Sequence, residues 1–163
     1  MNLNLNLNLN PKTPKKINST VKALIAELGI NNRNAQYLKY THKSDDYRAR
    51  YCFNNCETEA VKNGGEVVYG WLIWEDRKRS FIEAEFHSVL KVNGEILDIS
   101  PRQDSKDEKV LFVEDTLRDS GRKDPETWHS WSNMRMISGR VIEQSRRLEV
   151  FEVDDINSDV RYV

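Results

Sequence analysis

The sequence predicts an α+β fold in which N-terminal helices pack on a mainly antiparallel β-sheet. Two observations lead to this prediction. Apolar residues recur at helical spacing in two segments before residue 63. Between residues 65 and 115, four segments rich in Val, Ile, Trp and Phe are separated by turn-forming residues, as expected of strands. The 163 residues are sufficient for one domain with its own hydrophobic core.

Residues 1–18 are expected to form a flexible low-complexity tail ahead of a single domain at residues 19–163. Asn alternates with Leu in the first ten residues, and Pro11 and Pro14 follow. This start lacks the basic and continuous apolar regions of a secretory signal. No run of about 18 apolar residues predicts a membrane span. We therefore expect a cytoplasmic protein with no membrane partner.

Ser19 or Thr20 is predicted to cap the first helix, because either side chain can accept hydrogen bonds from the free N–H groups of a first turn. Gly29 can end it. The apolar face of this helix consists of Val21, Leu24, Ile25 and Leu28. The polar residues from 31 to 46 predict a surface loop or a short irregular helix.

The second predicted helix begins close to Cys52 and runs to about Lys62. Cys52, Cys56 and Ala60 recur four apart, and the Gly pair at 64–65 can adopt the left-handed conformation that stops a helix. Two cysteines are too few for a disulfide framework, and a bridge between residues four apart on a helix is disfavoured. We expect reduced thiols, with Cys52 in the first helical turn.

Four strands are predicted next. They are GEVVYGWLIWED, SFIEAEFHSVLKV, EILDIS and KVLFVED, at residues 65–76, 80–92, 95–100 and 109–115. The first is apolar throughout, as expected of a strand covered on both faces, so Trp71 and Trp74 are predicted to be core residues. Beyond Asp115 the chain is polar and aromatic, and residues 141–153 are consistent with a helix that turns into a last strand.

The turn between the second and third predicted strands determines the relative positions of His87 and Asp98. Asn93 and Gly94 tolerate the positive φ angles of a two-residue type I′ hairpin loop. With that loop Leu90 faces Leu97, and His87 and Asp98 become diagonal neighbours on one face of the sheet, about 7 Å apart at the backbone. Buried titratable groups are costly unless they are paired. An imidazole and a carboxylate can pair here.

A cysteine in the first turn of a helix packed on this sheet would complete a reactive group. The helix dipole and a nearby imidazolium both stabilise a thiolate. Cys52, His87 and Asp98 are therefore candidates for a nucleophile, its base and the group that orients the base.

The order Cys52, His87, Asp98, with cysteine on a helix and the other two on consecutive strands, resembles the papain-like superfamily in its circularly permuted and transglutaminase-like branches. HSVLKVNGEILDISP, residues 87–101, is similar to the transglutaminase-core pattern. The resemblance covers residues 50–101. Tyr51 departs from it, since many members have a small residue or Trp before the cysteine.

This resemblance implies attack of the Cys52 thiolate on an acyl carbon through a thioester, with no cofactor. His87 would serve as general base and then acid, and Asp98 would hold its ring. The backbone N–H of Cys52 would stabilise the oxyanion, helped by Asn54 or Asn55. Substrates of such enzymes are proteins, peptides or small amides, which are hydrolysed, deamidated or used for acyl transfer.

Two other functions remain open from the sequence. A papain-like domain without activity can act as a binding or inhibitor module. Alternatively, Cys52, Cys56 and His87 could bind zinc together with His42 or His129, although their spacing is not that of a common zinc motif.

Charge is unevenly distributed along the chain. Residues 1–50 contain nine Lys or Arg and three Asp or Glu, whereas residues 51–163 contain sixteen and twenty-three. A basic region can contact nucleic acid or an acidic partner. Because no aromatic residues alternate with Lys12, Lys15 and Lys16, a solvated tail is favoured over nucleic-acid binding.

Overall fold

An antiparallel sheet with helices packed on it organises the chain in a computed structural model, which describes residues 8–102, 109–124 and 127–150. The α-helices in these ranges are α1 (Ser19–Glu27) and α2 (Cys52–Asn63). The strands are β1 (Ala35–Lys39), β2 (Glu66–Asp76), β3 (Phe81–Val92), β4 (Glu95–Leu97), β5 (Lys109–Glu114), β6 (Gly121–Asp124), β7 (Thr127–Trp131), β8 (Met134–Ile137), β9 (Arg140–Glu143) and β10 (Arg147–Val150).

The strands form two sheets. The large sheet has the order β1-β5-β2-β3-β8-β9, with β4 also paired to β3, and the small sheet has the order β10-β7-β6. Neighbouring strands are antiparallel in both sheets. The predicted α+β class with a mainly antiparallel sheet is therefore confirmed. None of the helices in the described ranges has the length and apolar character needed to cross a bilayer.

Helix α1 covers one face of the large sheet. Its predicted apolar residues are all buried and contact a cluster that includes Trp71, Ile73 and Ile82. The cap is Asn18 rather than Ser19 or Thr20, because the Oδ1 atom of Asn18 accepts the N–H of Val21 at 2.9 Å. The helix thus begins at Ser19, one residue earlier than a Ser19 cap would place it, and Asn provides the same cap chemistry.

The segment before α1 is bound to the sheet from residue 10 onward. Lys12 and Glu75 exchange two backbone hydrogen bonds of 2.8 Å, and the N–H of Asn10 donates to the Asp76 carboxylate. The hydroxyl of Tyr37 donates to the carbonyl of Pro14 at 2.7 Å. The predicted flexible tail thus does not describe residues 10–18, and residues 1–7 lie outside the described ranges.

Strand β1 lies within the stretch predicted as a loop or irregular helix. Its five residues pair with β5 over their whole length, and of its side chains only Leu38 is buried. So polar a segment has little intrinsic strand preference. It is a strand because β5 presents a free edge whose backbone groups need partners.

The predicted C-terminal helix is absent, since residues 141–143 lie in β9 and residues 144–146 connect it to β10, whereas the predicted last strand is present as β10. Ser138 and Gly139 have φ angles of +50° and +78°, and they close a hairpin between β8 and β9. After β9 the chain enters the small sheet, where β10 pairs with β7. Residues 151–153 lie outside the described ranges.

The hairpin that determines the site has the predicted register. Asn93 and Gly94 have φ angles of +50° and +80°, as a type I′ turn requires, and Leu90 faces Leu97. Strand β4 is shorter than predicted, because it ends at Leu97. The next residue, Asp98, bridges to Tyr40 instead, so the chain separates from β3 at this point.

Candidate active site

Helix α2 begins at Cys52, as predicted, and ends at Asn63, where Gly64 has a φ angle of +83°. The residue two positions before Cys52, Arg50, has a φ angle of +69°, which is uncommon for a non-glycine residue. This turn brings the chain abruptly into the helix. The half-buried Cys52 side chain lies where the helix presents N–H groups that have no intrahelical acceptor.

His87 and Asp98 are hydrogen-bonded. Nε2 of His87 lies 3.0 Å from Oδ1 of Asp98. The Asp98 side chain is completely buried, and the His87 side chain is 11% exposed. A hydrogen bond also links the His87 ring to the Cys52 side chain. The three predicted residues therefore form one hydrogen-bonded series.

The charges in this series favour a thiolate. Burial alone would raise the pKa of the Cys52 thiol, but attraction to His87, the hydrogen bond from its ring and the backbone N–H of Ser88 lower the pKa below its ordinary value. Burial would lower the pKa of His87, but Asp98 and Cys52 raise the pKa to about 10. The two groups thus favour each other's charged forms, the imidazolium and the thiolate.

Asp98 is held by more than His87. Arg102 donates to its Oδ2 atom, and the backbone N–H of Ser100 lies 3.4 Å from Oδ1. Burial opposes ionisation, but His87 and Arg102 keep the pKa of the Asp98 carboxyl below its ordinary value. A buried aspartate with two cationic partners remains ionised and fixed in place.

The two asparagines of the first turn differ in what they do. The Nδ2 group of Asn55 donates to the carbonyl of Arg48 at 2.9 Å and to the hydroxyl of Ser100 at 3.0 Å, and its Oδ1 accepts the N–H of Arg48. Asn55 is thereby committed to supporting the segments on either side of the site and is not free to bind an oxyanion. Asn54 is half-buried in the same turn, and the described residues offer its amide no hydrogen bond.

A cavity of about 450 Å³ opens beside the thiol. Its wall includes Cys52, His87, Leu72, Trp74, Glu85 and Arg102. Trp74 is half-buried there, whereas Trp71 is fully buried in the core, and its indole N–H donates to Asp115. Trp71 is therefore a core residue, as predicted, whereas Trp74 packs against a core cluster and also lines the cavity. A concave, partly apolar wall with a few charged groups is typical of a ligand pocket.

The residues considered for zinc are not assembled. Cys56 is fully buried in an apolar cluster with Tyr47 and Ile99, and burial raises its pKa well above the ordinary value. His42 contacts Asp45, and His129 contacts Asp119 and Arg147. In the ranges that the structure describes, no group of three or more His, Cys, Asp or Glu side chains is arranged to hold a metal ion.

Sequence reasoning did not identify Arg102 or the supporting role of Ser100. Arg102 follows the predicted strands beyond Pro101, and its contact with Asp98 depends on the separation of the chain from β3. The only local feature that pairs Arg102 with Asp98 is their separation of four residues.

Comparisons with models of protein families, with curated proteins and with solved structures found no match to this chain.

Proposed function

We propose that this protein is a cysteine-dependent acyl hydrolase or acyltransferase of the papain-like or transglutaminase-like type. The observation that carries the proposal is the hydrogen-bonded series Cys52–His87–Asp98, with the thiol in the first turn of α2 and a cavity beside it. The same order of residues, with Cys52 on a helix, His87 on β3 and Asp98 directly after β4, supports the papain-like assignment of the fold.

The reaction begins with the Cys52 thiolate, which attacks the carbonyl carbon of a bound amide or ester. As the tetrahedral intermediate collapses, the imidazolium of His87 gives its proton to the leaving amine or alcohol, and a thioester remains on Cys52. Neutral His87 then takes a proton from water or from an acceptor amine. That nucleophile displaces the thiolate and yields an acid or a new amide, and the ion pair is restored.

The negative oxygen of the intermediate needs hydrogen-bond donors. The backbone N–H of Cys52 belongs to the first turn of α2, where helical N–H groups lack intrahelical acceptors and the helix dipole favours negative charge. The amide of Asn54 is the second candidate donor, because Asn55 is occupied by Arg48 and Ser100.

The cavity supports an acyl substrate of side-chain or small-molecule size. Leu72 and Trp74 give it an apolar wall, and Glu85 and Arg102 add opposite charges. A glutamine or similar amide on a protein or peptide, or a small amide, can enter a space of about 450 Å³. A soluble amide requires no cofactor for this chemistry.

The test compares Cys52→Ala with Cys56→Ala in a screen of thioester, ester and peptide amide substrates. Each reaction is quenched in acid, and intact mass spectrometry measures acylated protein. We expect acylation and turnover in the wild type and in Cys56→Ala, and loss of both in Cys52→Ala. Iodoacetamide at pH 6 should also alkylate Cys52 far faster than Cys56.

Equal and slow alkylation of both cysteines, with no acylation by any substrate, would refute the enzyme and favour a binding or inhibitor module. Turnover that survives in Cys52→Ala would also contradict the assignment.

A further inference from the structure

A second cavity lies away from the thiol and is lined by positive charge. Its volume of about 840 Å³ exceeds that of the cavity at Cys52. We call it the basic groove, after the cations in its wall. They are Lys12, Lys15, Lys16, Arg77, Lys78 and Arg79. Two segments more than 60 residues apart in sequence supply them, so only the fold creates this concentration of charge.

Few of these cations are neutralised. Arg79 pairs with Asp76 at 3.0 Å, but within the described ranges the other five cations form no ion pair. The two carboxylates of the wall have other partners. Glu75 lies within hydrogen-bonding distance of the Asn18 amide, and Asp76 accepts the N–H of Asn10 in addition to Arg79. The groove therefore keeps a net positive charge that can attract an anionic ligand.

The cations are held on fixed backbone. Lys12 exchanges two hydrogen bonds with Glu75, and the hydroxyl of Thr13 donates to the carbonyl of Lys109. On the other side, residues 77–79 form a single turn of 3-10 helix directly after β2. Binding loses less conformational entropy when the backbone that carries the binding residues is already ordered, as it is in this groove.

The charge of the whole chain distinguishes between anionic ligands. Its net charge is −1, and residues 51–163 carry an excess of acidic groups. A nucleic acid, with a charge about every 1.7 Å along a duplex, extends beyond the groove into that unfavourable field. A short acidic peptide bound in the groove interacts mainly with charges that lie within about 10 Å of it, since salt screens more distant charges. Furthermore, among the residues that the structure describes, no aromatic ring lines the groove to stack on a base.

We infer that the basic groove binds a short acidic segment of a protein partner, whose carboxylates contact Lys12, Lys15, Lys16, Arg77 and Lys78. The amide side chain of Asn10, which also lines the groove, can bind the backbone of that segment. The inference is independent of the acyl chemistry, since no catalytic candidate lines the groove.

The experiment measures fluorescence anisotropy of a fluorescein-labelled hexaglutamate peptide titrated with the full chain in 20 mM and 300 mM salt. The test variant is Lys12→Gln/Lys78→Gln. The control is Lys62→Gln/Lys91→Gln, which removes the same charge from exposed lysines outside the groove. We expect the test variant to weaken binding about tenfold at low salt, the control to change it less than about twofold, and high salt to weaken it in all proteins.

Absence of peptide binding at low salt, or an equal loss in both variants, would overturn the inference. A 20-base-pair DNA duplex serves as the competing ligand. If the duplex binds more tightly than the peptide and is the ligand sensitive to Lys12→Gln/Lys78→Gln, the groove is a nucleic-acid site and the acidic peptide is the wrong occupant. Cys52→Ala should bind the peptide like wild type, whether or not the chain is an enzyme.

Discussion

Arg102 donates to Oδ2 of Asp98, the carboxylate oxygen that His87 leaves free. Asp98 is fully buried and thus holds one cation on each oxygen. His87 connects this carboxylate to the thiol, whereas Arg102 fixes it from the other side. Arg102 therefore acts on the proposed reaction through Asp98 as a positioning residue.

Replacing Arg102 with Met should lower the free energy of unfolding by about 2 kcal/mol at pH 7, because the buried Asp98 loses one of its two cationic partners. The pKa of Asp98 is lowered in the folded protein, so its contribution is present above the unfolded pKa and is lost as the pH falls through the folded value. The difference in free energy of unfolding between the wild type and Arg102→Met should therefore be smaller at acidic pH. Urea unfolding at pH 7 and pH 3 measures both effects.

Arg140→Met is the matched control, since Arg140 is exposed and forms no ion pair within the described ranges. Its unfolding free energy should change by less than about 0.5 kcal/mol. An Arg102→Met variant as stable as the control would show that Arg102 does not hold Asp98.

The pH at which Cys52 becomes reactive should depend on His87. In a Cys56→Ala background, the iodoacetamide rate reports the thiolate of Cys52 alone. Attraction to His87 and its hydrogen bond lower the pKa of this thiol against the effect of burial. His87→Gln should therefore raise the midpoint of the rate profile from below the ordinary thiol pKa to above it. An unchanged midpoint would mean that the imidazole does not act on the thiol.

The parts of the site that follow local rules were predictable from the sequence. Asn93 and Gly94 determine a turn type, the turn determines the register of β3 and β4, and the register brings His87 beside Asp98. The start of α2 at Cys52 followed in the same way from helical spacing and a glycine stop.

The rest depended on contacts between distant segments. Strand β1 exists because β5 offers an edge, and β9 and β10 are strands because β8 and β7 lie beside them. Asn18 caps α1 although two neighbouring residues have equally suitable side chains. No local rule selects among such alternatives, since tertiary pairing outweighs intrinsic preference.

Gly70 lies in a correctly predicted strand, but the reason for a glycine at this position is a contact with a distant segment. It pairs with His87 on β3, and a Cβ atom at this position would lie 2.2 Å from the carbonyl oxygen of Val113 and 2.5 Å from the ring of Phe112. Gly70→Ala should therefore force β2 and β5 apart and lower the free energy of unfolding by about 3 kcal/mol. Thermal and urea unfolding measure the loss.

Gly139→Ala is the comparison for Gly70→Ala. Gly139 has open space around it, and only its φ angle of +78° disfavours a side chain. The expected loss is about 1 kcal/mol. If both variants lose the same free energy, the close approach of Phe112 to Gly70 is not a packing constraint.

The pKa of His87 should fall in a defined order when its partners are removed. Asp98 raises it most and Cys52 next, to about 10 in the wild type. Asp98→Asn should therefore lower the pKa of His87 more than Cys52→Ala does. NMR titration can measure this pKa, because the chain has only three histidines. The variants His42→Gln and His129→Gln assign the signals of the other two. Since the folded pKa exceeds the ordinary 6.5, protonated His87 stabilises the fold fully below about pH 6.5, and this contribution is lost as the pH rises through about 10. Urea unfolding of the wild type at pH 6 and pH 10.5 should show that loss, and Asp98→Asn should show a smaller one. A larger fall in pKa for Cys52→Ala than for Asp98→Asn would mean that the thiolate, rather than the carboxylate, is the main partner of the imidazolium.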